Sequence, residues 1–173
     1  MELWDVYDKD RNKTGRTMVR GSAFQEGDYH LVVHICIFNS RNEMLIQKRQ
    51  PFKDNFSGMW DITVGGSAVA GDTSQQAAAR ELLEEVGIQM DFTDVRPQLS
   101  VHFDHGFDDY YLARRDDLDV ASLKLQYEEV EQVTWATEDE VLSLLASGEF
   151  IPYHASFLQL LFAMQTSYGA HKK

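Results

Sequence analysis

Six consecutive residues, Arg80-Glu81-Leu82-Leu83-Glu84-Glu85, carry three carboxylates and one guanidinium. If the segment is helical, a rotation of about 100° per residue puts Glu81, Glu84 and Glu85, at i, i+3 and i+4, on one face. Like charges at that spacing repel by roughly 0.2–0.5 kcal/mol per pair. A chain of formal net charge −12 gains nothing by adding more of them. A divalent cation offsets the repulsion, and a ligand set made only of oxygen suits Mg2+, Mn2+ or Ca2+ and not zinc. Taken alone, the cluster leaves open the alternative of a solvated acidic face.

The helix that must position these groups is well signalled. Ala77, Ala78, Ala79, Leu82 and Leu83 are strong helix formers, Thr73 with Gln76 three residues on reads as a capping box, and Gly87 stands where a helix stops. Ala78, Leu82 and Val86 share the face that can pack inward. Upstream lie Gly65-Gly66, a short loop to Gly71 and an acid at Asp72, with seven residues between that acid and Arg80. This loop-helix unit, residues 66–88, resembles the Nudix box, G-x5-E-x7-R-E-U-x-E-E-x-G-U, where U is bulky and aliphatic. From Gly66 onward every fixed position agrees except one, where Asp72 stands in place of Glu.

The resemblance implies a hydrolase of diphosphate linkages, usually of a nucleoside diphosphate joined to another group, with Mg2+ (or Mn2+) as cofactor. It also implies residue roles. By position, Glu85 and Glu81 are the main metal ligands, Glu84 lies beside them, and the Gly66 carbonyl completes the shell. Glu81, Glu84 and Arg80 fall at the catalytic centre, with Glu81 or a nearby acid as the base and Arg80 orienting a glutamate. The acid at position 72 braces the loop in the family; the shorter Asp72 could instead cap the helix. A further ligand often comes from outside the box, and Tyr127-Glu128-Glu129-Val130 before Trp135 resembles the segment that supplies it. Glu129 is the candidate, with Glu128 and Glu131 as rivals.

The likeness runs from about residue 2 to residue 140. Gly27 to Val33, the pair Arg49 and Lys53, and Ser57-Gly58-Met59-Trp60 resemble the branch that contains type 1 isopentenyl-diphosphate isomerases and their hydrolase-like relatives. In those isomerases cations at the spacing of Arg49 and Lys53 grip the diphosphate, which makes these two the substrate-binding candidates. Isomerisation also needs a cysteine in W-x3-V-C-G-H. This chain has Gly65 at the cysteine position and Ser67 at the histidine position, and Cys36 falls in an apolar strand, where a thiol is an inert hydrophobe. Hydrolysis is therefore expected over isomerisation. A non-catalytic nucleotide-binding module is the third reading, and its signature, loss of the box carboxylates, is missing. His30 sits where the isomerases have another metal ligand, His102 and His105 flank a loop that could reach the cleft, and Phe107, Tyr110 and Tyr111 are aromatic enough to stack on a base, although core packing is the plainer reading of them.

Bulk properties bound the rest. The 173 residues are expected to form one domain, 1–173, with a real core. A single cysteine rules out a disulfide framework and fits a reducing, cytoplasmic setting. No apolar run approaches the ~20 residues of a membrane span. Strong acidity, with pI near 4.8, argues against binding a nucleic acid polymer and leaves a small-molecule diphosphate as the expected partner. The periodicity predicts a hairpin within residues 2–20 and a buried strand at 30–38 with its partner at 44–49. It further predicts one short strand at 60–64, strands at 99–103, 110–113 and 130–136, a helix from 137 or 138 to 145, and a final amphipathic helix within about 154–166. The sum is an α/β (α+β) fold, and the resemblance specifies an α/β/α sandwich with a mixed sheet. The hairpin and the final helix are candidate surfaces for a homodimer.

Overall fold

The computed structural model describes residues 1–171; Lys172 and Lys173, at the end of the expected domain, lie outside the described residues. Its centre is β3 (His30–Phe38), whose nine residues are mostly buried. Alternate side chains of this strand feed two cores, as a two-sided strand requires. Leu31, Val33, Ile35 and Ile37 pack with Ala77, Ala78, Leu82 and Val86 of α1 (Ser74–Val86). On the opposite face, Cys36 and Phe38 pack with Val141 of α2 (Glu138–Ala146) and with Leu158, Leu161 and Phe162 of α3 (Ala155–Met164). Helices therefore cover both faces of a mixed sheet, the expected α/β/α architecture.

Pairing in that sheet is uneven, and the unevenness makes room for a site. β3 runs antiparallel to β4 (Met44–Arg49) but meets it in register only at Phe38 and Met44. Beyond that point the two strands diverge. β3 then takes β8 (Gly106–Arg114) in parallel and β6 (Val64–Ser67) antiparallel, while β4 takes β5 (Trp60–Asp61) and β9 (Val130–Ala136). β7 (Leu99–Phe103) closes the far edge against β8. The single strand expected at 60–64 is thus two strands. Residues Ile62 and Thr63 carry the chain from the β4 side to the β3 side, and the Thr63 hydroxyl fills the gap between them, accepting from Ile37 N at 2.9 Å and donating to the Leu45 carbonyl.

The N-terminal hairpin, β1 (Leu3–Tyr7) with β2 (Lys13–Val19), forms a separate two-stranded sheet. It is fastened to the loop that precedes α1: Ala70 N donates to the Leu3 carbonyl at 2.7 Å, Gly71 N to the Asp5 carboxylate at 2.8 Å, and the Lys13 ammonium to the Asp72 carbonyl at 2.9 Å. A polar contact underneath holds it too, since Arg11 forks both oxygens of Asp109 on β8 at 2.9 and 2.7 Å.

Candidate active site

α1 starts and stops where its residues dictate. Thr73 caps it with the reciprocal Thr73–Gln76 bonds of a capping box, and Gly87 ends it in the left-handed conformation at φ 70°. Asp72 is therefore not the cap. Its carboxylate accepts instead from Arg80 at 3.2 Å, and Arg80 also donates to the Ser67 carbonyl at 3.1 Å, so the shorter acid still ties the loop to the helix. The acidic face differs from a simple solvated one. Glu84 is exposed, Glu81 is half-buried, and Glu85 is only 6% exposed, while Leu83 points out at 52%.

The arrangement is set by partners. Arg80 donates to Glu81 Oε1 at 2.8 Å and to Glu84 Oε2 at 3.2 Å. The Glu81 carboxylate lies against the backbone of Gly66 so closely that a Cβ at that position would collide with it. Only glycine lets the carboxylate and the Gly66 main chain approach one another in this way. Glu85 reaches β4 and accepts one hydrogen bond there, from Gln47 Nε2 at 3.0 Å. Burial raises its pKa well above the ordinary carboxylate value, and the neighbouring charges of Glu81 and Glu129 push it the same way. Glu81 is raised as well, by burial, against the lowering influence of Arg80.

Two segments outside the box complete the cleft. Lys53 reaches Glu129 at 2.6 Å, and Gln50 N donates to the Glu129 carbonyl at 3.0 Å, so the loop after β4 is pinned to the turn before β9. That turn is joined in its own right to α1, because Gln126 N donates to the Glu85 carbonyl at 2.9 Å. A cleft of about 400 Å3 results, and Arg49, Lys53, Gly66, Arg80, Glu81, Glu84, Glu85 and Glu129 all line it. Of the two rivals to Glu129, Glu131 pairs with Lys48 at 3.1 Å, and neither it nor Glu128 lines the cleft. Among the described residues no three acids, histidines or cysteines are drawn close enough to enclose an ion: Arg80, Gln47 and Lys53 each hold a carboxylate in place. A larger groove of about 660 Å3, lined by Ile46, Trp60 and Leu144 with exposed acids of α2, contains none of these groups.

Sequence reasoning missed several residues of the cleft. Glu2 and Arg20, paired at 3.1 Å where the hairpin strands begin and end, stand at its mouth with Asp54, Asn55 and Gln126. Gln47, which holds the buried Glu85, reads in the sequence only as one polar position in an apolar strand. The other candidates are placed elsewhere. His30 is buried and stacks on Trp4 with centroids 4.4 Å apart, and burial lowers its pKa to about 4. His105 stacks on Phe24 and His102 meets the edge of Phe107. Phe107, Tyr110 and Tyr111 are core residues, and Cys36 is fully buried with its thiol pKa pushed up. Gly65, at the position of the isomerase cysteine, has the His34 imidazole over it: a Cβ there would stand 2.7 Å from Nδ1.

Comparison with known proteins agrees with the geometry. A NUDIX domain model matches residues 28–161. The chain is 44% identical to an uncharacterised Nudix hydrolase of Listeria monocytogenes over 171 residues, 99% of each chain. It is 34% identical to an isopentenyl-diphosphate Delta-isomerase of Pectobacterium atrosepticum over 94 residues, about half of either chain at 54% and 52%. The crystal structure of DR0079 from Deinococcus radiodurans superposes with a TM-score of 0.75 at 24% identity, covering 92% of this chain and 99% of that one, a likeness of fold. A glycine loop, a capped helix bearing R-E-x-x-E-E and a mixed sheet between helices are thus joined by a family match that spans most of the sequence, and the chain belongs to the Nudix hydrolases, enzymes that cleave diphosphate linkages.

Proposed function

We propose that this protein is a divalent-cation-dependent hydrolase, using Mg2+ or Mn2+, whose substrate is a nucleoside diphosphate derivative. The observation that carries the reading is the buried carboxylate Glu85, held by one amide and facing two further acids in a cleft that also presents Arg49 and Lys53. A carboxylate taken out of water among its like is costly unless a cation joins it. The donor set suits a hard ion: Glu81, Glu85 and Glu129 with the Gly66 carbonyl, and Glu84 at the exposed edge, are oxygens throughout. When bound, the divalent ion supplies positive charge beside the phosphoryl oxygens and acidifies water.

The chain's own residues do the rest. Glu81 or its neighbour Glu84 takes the proton from the attacking water, and Arg80 keeps Glu81 in a single orientation through its 2.8 Å bond. Arg49 and Lys53 receive the diphosphate. The Lys53 ammonium is paired with Glu129, so a phosphoryl oxygen bound to Lys53 would compete with that carboxylate and make Glu129 more available as an oxygen donor for the cation, which would couple the two binding events. The crowding of Gly65 by His34 supports hydrolysis over isomerisation, because a cysteine side chain at 65 has no room beneath that imidazole. The buried lone thiol Cys36 fits a reducing, cytoplasmic setting.

The test is release of phosphate or nucleoside monophosphate from nucleotides, nucleotide sugars, dinucleotides and isoprenoid diphosphates with Mg2+ or Mn2+, run beside Glu85→Gln. Turnover of a nucleoside diphosphate derivative that disappears in the variant is expected. Turnover that survives in Glu85→Gln, or none with any compound, overturns the reading.

A further inference from the structure

The cleft is polar: among the described residues, no aromatic or aliphatic side chain lines it. It can hold a diphosphate and a cation, but it offers nothing to the remainder of a larger substrate. Next in the chain to two of its lining residues, Lys53 and Gln126, are two aromatic rings that the fold leaves in water. Phe52 is 55% exposed and Tyr127 71%, yet they touch, with centroids 5.7 Å apart and planes inclined by 42°. Single exposed apolar side chains are ordinary on a protein surface. A contacting pair from segments 75 residues apart, each beside a cleft residue, is a smaller coincidence. Phe52 directly precedes Lys53, and Tyr127 directly follows Gln126; Lys53 pairs with Glu129, and Gln126 is bonded through its backbone to Glu85. The two rings therefore sit on the two segments that carry the cleft's outer wall.

We infer that the Phe52–Tyr127 pair is the platform on which the planar base of a nucleotide substrate stacks while its diphosphate lies between Arg49, Lys53 and the acidic helix. The inference rests on the hydrolase reading for the position of the diphosphate and adds the residues that receive the base. Three features favour a nucleobase over an aliphatic tail. Both rings are largely exposed, which suits stacking by a flat ring with a hydrogen-bonding edge. Asn55 and Gln126 line the same cleft, and their side-chain amides have the donors and acceptors such an edge requires. An isoprenoid tail needs an enclosed apolar channel, and the cleft provides no apolar wall. Stacking of a base on an aromatic side chain is worth roughly ten-fold in affinity or more.

The experiment compares two non-hydrolysable probes by calorimetry in the presence of Mg2+: adenosine 5′-(α,β-methylene)diphosphate, and methylenediphosphonate, which has the same bridge and no base. Wild type, Phe52→Ala, Tyr127→Ala and Tyr127→Phe are measured. Both rings are exposed, so the variants are expected to fold, and circular dichroism confirms it. The wild type is expected to bind the nucleotide analogue at least ten-fold more tightly than the diphosphonate. Each alanine variant should lose most of that advantage with its affinity for the diphosphonate unchanged, and Tyr127→Phe should keep it. A wild type with no preference for the base, or alanine variants that retain the preference, overturns the inference. Failure of the hydrolase reading looks different: the base preference is present and ring-dependent, yet no diphosphate is turned over in a Glu85-dependent way.

Discussion

Of the buried carboxylates, Glu85 at 6% exposure and Asp109 at 1% lie at nearly the same depth, and their surroundings are opposite. Asp109 accepts four hydrogen bonds: two from the Arg11 fork, one from Ser100 and one from Ser74 at 2.7 Å, the last braced in turn by the Tyr111 hydroxyl. Burial alone would raise its pKa, but these bonds hold it below the ordinary value. Glu85 accepts one bond from a neutral amide, and burial and other acids push its pKa up. The first is a finished structural joint between the hairpin, β8 and the start of α1. The second has a single neutral partner, which is what the proposed cation site requires. Burial of a charge thus says little by itself; the count and kind of its partners separate a fastening from a reactive site.

The sharpest way to break the contrast is to neutralise each acid in turn. Glu85→Gln should lower diphosphate hydrolysis at least about 100-fold, while the metal-free protein keeps or gains stability because a poorly paired buried charge is gone; thermal unfolding and steady-state kinetics on one preparation check both halves. Asp109→Asn should do the reverse, costing about 3 kcal/mol, which for a chain of this size is roughly 10 °C in Tm, with activity per folded molecule largely kept. Gly66→Ala sharpens the site side of the comparison. Its methyl displaces the Glu81 carboxylate, and activity should fall about ten-fold or more with little change in Tm. Lys53→Ala removes one charge-assisted contact and should raise KM for the diphosphate about ten-fold, with metal affinity kept or raised because Glu129 is released.

The smallest effect is in pH. Because Asp109 is held below its ordinary 3.8, its stabilisation is complete above about pH 3.8 and fades as pH falls through the folded value. The Tm gap between wild type and Asp109→Asn should therefore narrow in acid; a gap that widens would contradict the assignment.

The sequence carried the site side of this comparison far better than the structural side. R-E-x-x-E-E, its glycines and the Thr73–Gln76 cap are local signals, and local signals survive in one dimension; the apolar run at 30–38 is equally direct and is the whole of β3. Arg11 and Asp109 lie 98 residues apart, and nothing in either neighbourhood announces the other. The break of the expected 60–64 strand was hidden for a related reason: Ile62 and Thr63 look like strand residues, and only the divergence of β3 from β4 makes them a crossing. The aromatics are a third case, in which the plainer reading of the sequence, core packing, is the one the fold realises. Phe107, Tyr110 and Tyr111 stand in a strand that the fold buries, whereas Phe52 and Tyr127 owe their exposure to turns whose positions depend on Glu129 and Glu85.

The most direct test of the contrast is Mn2+ binding followed by electron paramagnetic resonance in wild type, Glu85→Gln and Asp109→Asn. The account predicts saturable binding in wild type, a loss of at least ten-fold in affinity in Glu85→Gln, and wild-type affinity in whatever fraction of Asp109→Asn is folded. Equal binding by wild type and Glu85→Gln would contradict it.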